Sequence, residues 1–409
     1  MLRALNLLLS HRCNLSCGYC YQRERSVPAR MPWSTAKAAI DLLLAGMPAK
    51  AAVELSGGEP TLEPALLRRC VEYLGSAAPP GVAVDCSLTT NGTLVDDELL
   101  AFLADHDVRL DLSFDGILAA QEVRGAGSFP TLDRLLVRAR NQHPRYFAQR
   151  VTVRMVVQRR TLPHLGASVR HFMERGVRRI AVAPCMAPDP DWDPESEEVL
   201  RDQLHEIVAD SLRHLLATGS VPVGFIAGAE GDPRARGEGP ECAAVSGHCA
   251  CVDAAGHVWG CPLFARSLRR LPPLAALVAD FVFLGGVHDS SLTARLAALP
   301  ARTRHDPLFS ARSRRCGSRQ CCDCEFAADC RICPAAICER SHNPDPREVP
   351  TFHCAFSRVT LDARRRFRDM RAKAGTQQCP AELAEALRDV ATALQAQVSG
   401  MPESGSGRS

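Results

Sequence analysis

The chain has 409 residues, of which 46% are hydrophobic, and its 49 basic and 46 acidic side chains leave a formal net charge of +3. This composition supports a sizeable apolar core and excludes an intrinsically disordered chain. Because the charge is nearly balanced, we expect no nucleic-acid partner and no membrane surface. The apolar run over residues 4–9 is too short for a signal sequence, and no run approaches a membrane span. We therefore expect a cytoplasmic protein.

Apolar runs alternate with amphipathic segments over the first half of the chain. Because the strands are mostly apolar throughout, they predict a parallel sheet that helices cover on both faces. Six strands are too few for eight-fold closure, so we expect an α/β fold, an open partial (β/α)6 barrel with its functional side chains at the carboxyl ends of the strands. The predicted strands are 4–9, 51–56, 82–88, 108–114, 150–157 and 178–184, and the predicted helices are 34–47, 63–74, 96–105, 131–142 and 162–175.

Residues with strong turn and cap preferences predict where helices begin and end. Ser34 and Asp96 are expected N-caps, and Gly75 and Gly176 stand where helices should end. A longer helix is predicted over 194–218, followed by a Gly-, Pro- and charge-rich segment at 228–240. We therefore place domain limits at 1–227 and 241–355, followed by a helical tail over 356–409 whose end is disordered.

Cysteine is unusually frequent, with 19 residues that fall mostly into two groups. Cys13, Cys17 and Cys20 follow the first strand, and twelve more lie between Cys242 and Cys354. In a reducing compartment such clusters favour metal binding over disulfides. Three thiolates at the N-terminal spacing can hold three irons of a 4Fe–4S cluster and leave the fourth iron open. A zinc site that borrows a distant fourth ligand is the alternative.

The N-terminal group has a recognisable setting. CNLSCGYC (13–20), with Tyr19 before the last cysteine, resembles the signature of the radical S-adenosylmethionine (SAM) superfamily. LSGGEP (55–60), SLTTNGT (87–93) and LSFDG (112–116) follow at the ends of the next three predicted strands. Asn-Gly and Asp-Gly are ordinary turns in isolation, but motifs at successive strand ends behind the cysteine triplet are not expected by chance.

This resemblance implies a mechanism and a set of contacts. The amine and carboxylate of SAM would chelate the open iron, and reductive cleavage would yield a 5′-deoxyadenosyl radical that takes a hydrogen atom from the substrate. By this resemblance, the pair Gly57–Gly58 allows close backbone approach to the ligand and Glu59 accepts from the SAM ammonium. Arg124 matches an arginine that pairs with the SAM carboxylate in relatives. The implied cofactor-binding residues are Tyr19, Gly57, Gly58, Glu59, Asn91, Ser113, Asp115 and Arg124.

The second cysteine group resembles the SPASM extension of peptide- and protein-modifying radical SAM enzymes, which carries two auxiliary 4Fe–4S clusters. Cys242, Gly256 and Cys261 fit the spacing of its first part, and Cys330 departs from the pattern because the next cysteine follows after two residues instead of three. The resemblance implies one cluster on Cys321, Cys324, Cys330 and Cys354, and another on Cys242, Cys249 or Cys251, Cys261, and Cys333 or Cys338. Zinc knuckles are the alternative, since CxxC pairs also suit zinc.

Within this branch, two reactions compete. Anaerobic sulfatase maturases, which form formylglycine, carry an aspartate proton acceptor directly after the cysteine matched by Cys261, but this chain has Pro262 there. We therefore expect a maturase of a ribosomally synthesised peptide that forms a thioether or carbon–carbon crosslink, with formylglycine formation as the alternative. A non-catalytic iron–sulfur or zinc scaffold is the alternative of another class. Asp253, Asp323 and Asp329 are possible bases, and nothing in the sequence selects one.

The expected partners follow from this reaction. They are a peptide or protein substrate and a reductant such as flavodoxin or ferredoxin. Because the chain starts directly at its first predicted strand, we expect no leader-binding domain before it. Peptide delivery would then use a leader-peptide-binding partner or an edge strand of this chain.

Overall fold

The computed structural model describes residues 1–22, 30–186, 192–228, 242–303, 319–339 and 347–375, with Asp306, Leu308, Phe309 and Asp345. Its described strands form one open sheet in the order β6-β5-β4-β3-β2-β1-β7-β8-β9. The strands are β1 (Ala4–Ser10), β2 (Lys50–Gly57), β3 (Ala83–Thr90), β4 (Arg109–Ser113), β5 (Val151–Val157), β6 (Ile180–Pro184), β7 (Cys249–Val252), β8 (His257–Trp259) and β9 (Phe283–Gly286). Neighbours among β1–β6 are parallel. This confirms the predicted α/β fold with an unclosed parallel sheet.

Helices connect the parallel strands and cover the sheet. Most of their limits agree with the sequence pattern to within a few residues, and the helix over Pro194–Thr218 agrees at both ends. The helices are α1 (Trp33–Ala45), α2 (Pro64–Ala77), α3 (Asp97–Asp105), α4 (Leu118–Gln121), α5 (Ser128–Gln142), α6 (Pro144–Arg150), α7 (Leu165–Glu174), α8 (Pro194–Thr218), α9 (Gly224–Ala227), α10 (Pro273–Val282), α11 (Leu292–Thr303), α12 (Arg319–Cys322), α13 (Pro334–Cys338) and α14 (Thr351–Gly375). Among the described helices, none could span a membrane.

Two of the predicted helix limits are wrong and two are confirmed. Asp96 caps α3 by accepting a hydrogen bond from the backbone N–H of Leu99 at 2.8 Å, and Gly176 follows α7 with a φ of 82°. Ser34 instead lies inside α1, because that helix already begins at Trp33, directly after Pro32. Gly75 lies inside α2, which continues to Ala77. The predicted tail is helical as far as Gly375, and residues 376–409 lie outside the described part.

Strand β1 lies between two apolar clusters. Leu5, Leu7 and Leu9 point into the larger cluster. Leu8 points into the smaller cluster, where Trp259 and other residues of the cysteine-rich region surround it. Burying these side chains removes apolar surface from water and so stabilises both regions through one strand.

The sheet continues from the first cysteine group into the second. Strand β7 pairs in parallel with β1, from Ala4 opposite Cys249 to Leu7 opposite Val252, and β8 and β9 extend the sheet with antiparallel pairing. The sequence pattern did not predict these three short strands. Residues 229–241 lie outside the described part, so the domain limits drawn around them stay a prediction.

A glycine pair brings the end of β2 close to the end of β1. A Cβ on Gly57 would lie 2.3 Å from the carbonyl oxygen of Ser10, and one on Gly58 would lie 2.2 Å from that of Arg12. Gly57 also has a φ of 133°, which L side chains rarely adopt. The N–H of Gly58 donates to the carbonyl of Ser10 at 2.7 Å. The pair therefore fixes the point where the cysteine-bearing loop leaves the sheet.

We expect Gly58→Ala to lower the free energy of unfolding by about 2 kcal/mol, because the backbones of Gly58 and Arg12 would have to separate. The matched control is Gly75→Ala, since a Cβ there would meet no described atom within 4 Å. It should leave stability unchanged or raise it by up to about 1 kcal/mol. Equilibrium urea unfolding, followed by circular dichroism under anaerobic conditions, measures both. Equal effects of the two substitutions would contradict the close approach.

Candidate cluster and cofactor site

The loop after β1 brings the three N-terminal cysteines together. The thiols of Cys13 and Cys20 both interact electrostatically with that of Cys17. Burial raises the pKa of Cys17 to about 11, the two neighbouring thiols act in the same direction, and Arg124 acts against them. The Sγ atom of Cys13 accepts from the backbone N–H of Leu15 at 3.4 Å. The structure therefore places the predicted cysteine triplet around one space at the carboxyl end of β1.

The donor set of this space is three sulfur atoms. Soft thiolates are the ligands that iron–sulfur clusters use. Within the described ranges, no three His, Cys, Asp or Glu side chains are arranged as a single metal ion requires. A 4Fe–4S cluster binds each thiolate through a different iron, so its ligands do not have to meet at one atom. Cys13, Cys17 and Cys20 fit such a cluster.

A buried ion pair lies beneath this loop. Arg124 donates to both carboxylate oxygens of Asp115 at 2.8 Å, and the two side chains are only 9% and 1% exposed. The hydroxyl of Tyr19 donates to the same carboxylate at 2.5 Å, as does the backbone N–H of Val156 at 2.8 Å. Burial raises the pKa of Tyr19, and Arg124 opposes that shift. Asp115 thereby joins the cysteine loop to β4 and β5.

Glu59 is fully buried and joins the ends of β2 and β3. Its Oε1 atom accepts from the hydroxyls of Thr61 at 2.6 Å and Thr90 at 2.7 Å, and from the backbone N–H of Thr61 at 3.0 Å. Its Oε2 atom accepts from the backbone N–H of Asn91 at 2.7 Å. Burial raises the pKa of Glu59, and the hydrogen bonds from Thr61 and Thr90 oppose this shift.

The amide of Asn91 holds the start of the cysteine loop. Its Nδ2 atom donates to Oδ1 of Asn14 at 2.8 Å and lies 3.9 Å from Sγ of Cys13. Its Oδ1 atom accepts from the hydroxyl of Thr93 at 2.7 Å. Ser113 is partly exposed at the carboxyl end of β4. The structure thus collects the predicted motif residues at one end of the sheet.

Sequence reasoning missed the bonds that these residues make with one another. The predicted SAM contacts included Glu59, Asp115 and Arg124, and the structure shows that all three also have partners within the chain. The available signal was the short separation of Asp115 and Arg124 within one βα unit. Direct contacts between these side chains and SAM stay a prediction.

The second cysteine group divides into two sets. The thiol of Cys354 interacts electrostatically with those of Cys330, Cys321 and Cys324, and burial raises its pKa to about 11. These are the four residues that the sequence assigned to one auxiliary cluster. They therefore share one space, although they are up to 33 positions apart in the chain.

The cysteines of the other set also interact with one another. Cys261 interacts with Cys333 and Cys242, and Cys338 interacts with Cys333 while burial raises its own pKa to about 12. Cys251 is fully buried in β7 and interacts with Cys261, whereas Cys249 is partly exposed. The choices between Cys249 and Cys251 and between Cys333 and Cys338 stay open.

Tyr21 is near cysteines of both groups. Its phenol interacts electrostatically with Cys20 and with Cys261 and Cys251, and burial is the main cause of its raised pKa. The possible base Asp253 is fully buried, and its carboxylate accepts hydrogen bonds from Trp259 Nε1 and from backbone N–H groups. The other two possible bases, Asp323 and Asp329, are exposed.

Comparison with known proteins identifies a family for part of the chain. Residues 7–161 match the model of the radical SAM superfamily. Over this part, the chain is similar to radical SAM proteins. The superfamily uses a 4Fe–4S cluster together with SAM, and the matched segment contains the cysteine triplet and all three strand-end motifs described above.

Curated relatives differ in how much of this chain they resemble. The serine-type anaerobic sulfatase-maturating enzyme of Klebsiella aerogenes is 33% identical over 116 residues, which cover 27% of this chain and 28% of that enzyme. GTP 3',8-cyclase of Xanthomonas axonopodis is 29% identical over 313 residues, which cover 67% of this chain and 84% of the cyclase. An uncharacterised Methanocaldococcus jannaschii protein is 26% identical over 44% of this chain and 62% of its own length. The chain thus spans less than two thirds of the first and third of these relatives.

Solved structures share the fold. The anSMEcpe structure with bound AdoMet and Cp18Cys peptide has a TM-score of 0.67 at 17% identity, over 90% of this chain and 98% of that one. Streptococcus suis SuiB bound to its precursor peptide SuiA has a TM-score of 0.54 at 16% identity, over 86% of this chain and 76% of that one. At these identities, the likeness shows the fold alone.

Removing the arginine of the buried pair should destabilise the radical SAM domain. We expect Arg124→Met to lower the free energy of unfolding by about 3–5 kcal/mol, because it leaves Asp115 buried without its counter-charge. The matched control is Arg201→Met, which breaks an ion pair with Glu197 in which the arginine is 44% exposed, and it should cost less than about 1 kcal/mol. Anaerobic urea unfolding measures both variants. Similar losses in the two would show that the pair does not fasten the loop.

Proposed function

We propose that this chain abstracts a hydrogen atom from a peptide or protein and thereby matures a ribosomally synthesised peptide through a thioether or carbon–carbon crosslink. The observation that carries the proposal is the approach of Cys321, Cys324, Cys330 and Cys354 to one another. A second cysteine set beside the radical SAM site supports auxiliary clusters of the SPASM kind, which the sequence resemblance associates with peptide-modifying enzymes.

Three of the chain's own cysteines would hold the catalytic cluster. When bound to Cys13, Cys17 and Cys20, a 4Fe–4S cluster with SAM supplies a 5′-deoxyadenosyl radical. The chain orients this chemistry, because Asp115 fixes Tyr19 within the loop and Asn91 holds the loop at Asn14. Burial of these anchors excludes water from the base of the loop.

Two auxiliary 4Fe–4S clusters belong to this proposal. We assign one to Cys321, Cys324, Cys330 and Cys354. The other takes Cys242 and Cys261, with Cys249 or Cys251 and with Cys333 or Cys338 as its remaining ligands. The proposal also divides the chain into domains at 1–227 and 241–355. It includes a flavodoxin or ferredoxin as the reductant and a partner that binds the leader peptide.

A peptide substrate has support from outside the chain. Two solved structures with the same fold contain bound peptides, Cp18Cys and SuiA. Formylglycine formation is the second candidate, and the likeness to the Klebsiella sulfatase-maturating enzyme favours it. Against it stands Pro262, which begins a 3₁₀ turn directly after Cys261 and carries no proton acceptor. A reaction with GTP, as the name of the cyclase relative indicates, is a third possibility. The proposal predicts instead that the reconstituted protein leaves GTP unchanged.

Loss of one cysteine of the triplet should abolish SAM cleavage. We expect Cys17→Ala to form no 5′-deoxyadenosine after anaerobic reconstitution and reduction, because the cluster would lose one of its three protein ligands. The matched control is Cys70→Ala, since Cys70 is buried inside α2 and away from the loop. Chromatography of the quenched reaction measures the product. Cleavage by Cys17→Ala, or bound zinc with no cleavage by the unchanged protein, would contradict the proposal.

Loss of one cysteine of the second group should separate SAM cleavage from peptide modification. We expect Cys324→Ala to keep uncoupled cleavage, to bind about eight irons where the unchanged protein binds about twelve, and to leave a co-expressed precursor peptide unmodified. The matched control is Cys322→Ala, because Cys322 is exposed and belongs to neither proposed set. Iron analysis and peptide mass spectrometry measure both. A modified peptide from Cys324→Ala would show that the auxiliary assignment is wrong.

A further inference from the structure

A cavity of about 350 Å³ lies where the radical SAM region meets the second cysteine region. The end of β6, the start of α8, α13 and the start of α14 form its walls. Its lining includes Met186, Trp192, Glu197, Glu339, Phe352 and His353. This volume is at the lower end of the range for ligand pockets, about 300–1,000 Å³, and suits one large side chain.

The wall of the cavity is mainly apolar and aromatic. The rings of Trp192 and Phe352 have centroids 4.6 Å apart and an interplanar angle of 39°. Met186 and Pro194 also line the space. Aromatic faces and a methionine sulfur favour a flat apolar group, because rings prefer offset or edge contacts with one another.

The acidic residues at this cavity do not make it a site for cations. Each of its three carboxylates already pairs with an arginine, which compensates its charge. The pairs are Asp193–Arg159 at 2.8 Å, Glu197–Arg358 at 2.5 Å and Glu339–Arg269. A ligand therefore meets little net charge here.

One buried polar group in the wall is only partly satisfied. His353 is 7% exposed, and one of its ring nitrogens interacts with the backbone of Cys185. A neutral imidazole offers one donor and one acceptor, so the other nitrogen is left for a ligand. A buried nitrogen without a hydrogen bond is unfavourable, and a ligand that donates to it would recover this loss.

Two residues of the cavity wall are chain neighbours of residues at the cysteine groups. Met186 follows Cys185, whose Sγ atom lies 3.9 Å from the backbone oxygen of Tyr19 in the cysteine loop. His353 precedes Cys354, which belongs to the second group. A side chain held in this cavity would therefore anchor a peptide next to the site of radical formation.

We propose that this cavity binds an aromatic side chain of the substrate peptide that has a hydrogen-bonding group at its tip, which is a tyrosine or a tryptophan. The ring packs against Trp192 and Phe352, and the tip bonds to His353. This inference rests on the proposed function, because it assumes a peptide substrate.

Three small probes test the cavity in the reconstituted, unaltered protein. The probes are N-acetyl-tyrosinamide, N-acetyl-phenylalaninamide and N-acetyl-leucinamide, and anaerobic saturation-transfer NMR measures their dissociation constants. We expect the tyrosine probe to bind about 3- to 10-fold more tightly than the phenylalanine probe, since it adds one hydrogen bond. The leucine probe should bind most weakly. Equal binding of the first two probes, or no binding of any probe up to about 20 mM, would overturn the inference.

Substitution of the histidine locates the binding. His353→Leu should remove the preference for the tyrosine probe over the phenylalanine probe, and His353→Gln should restore part of it because an amide can also donate and accept. The matched control is His257→Leu in β8, a half-exposed histidine that does not line the cavity, and it should keep the full preference. An unchanged preference in His353→Leu would overturn the inference.

The same samples separate this inference from the proposed function. Each sample is also assayed for 5′-deoxyadenosine. If SAM is cleaved and the probes show no preference, the cavity assignment is wrong and the radical SAM activity stands. If the tyrosine probe is preferred and SAM is not cleaved, the proposed function is wrong and the binding site stands.

Discussion

The buried pair of Asp115 and Arg124 fixes the position of the cysteine loop relative to the sheet. Burying two charges is favourable only when further hydrogen bonds complete them, and here the hydroxyl of Tyr19 and the backbone of Val156 do so. The loop that carries Cys13, Cys17 and Cys20 is thereby attached to β4 and β5 by an ion pair that is costly to break, because either charge would stay buried without its partner. Placement of the cluster follows from this pair and from the Gly57–Gly58 approach to β1.

Strand β1 connects the two cysteine groups. It ends in the cysteine loop, and one of its edges pairs with β7, which carries Cys249 and Cys251. The buried phenol of Tyr21 interacts electrostatically with Cys20 of the first group and with Cys251 and Cys261 of the second. Because the shared sheet ties the regions together, the proposed auxiliary clusters would be held near the radical SAM site without a flexible hinge in the described part of β1 and β7.

Much of the fold could be predicted from the sequence, because β1–β6 are long apolar runs with helices between them. Short β7, β8 and β9 escaped prediction, since three or four residues give too little periodicity. Ser34 has the chemistry of an N-cap, yet α1 begins at Trp33 and Pro32 occupies the N-cap position without a side-chain hydrogen bond. At the site, residue types indicated the cofactors, whereas the bonds of Glu59 to Thr90 and Asn91 depend on strand neighbours that only the fold brings together.

Electron paramagnetic resonance of the reduced, anaerobically prepared protein tests the central claim most directly, which is that Cys13, Cys17 and Cys20 hold a 4Fe–4S cluster with one iron open to SAM. A variant that lacks the auxiliary cysteines Cys261, Cys324 and Cys354 isolates this cluster. The account predicts a reduced cluster signal that changes in shape and g values when SAM is added. A signal that SAM leaves unchanged, or a protein that contains zinc and no iron, would contradict it.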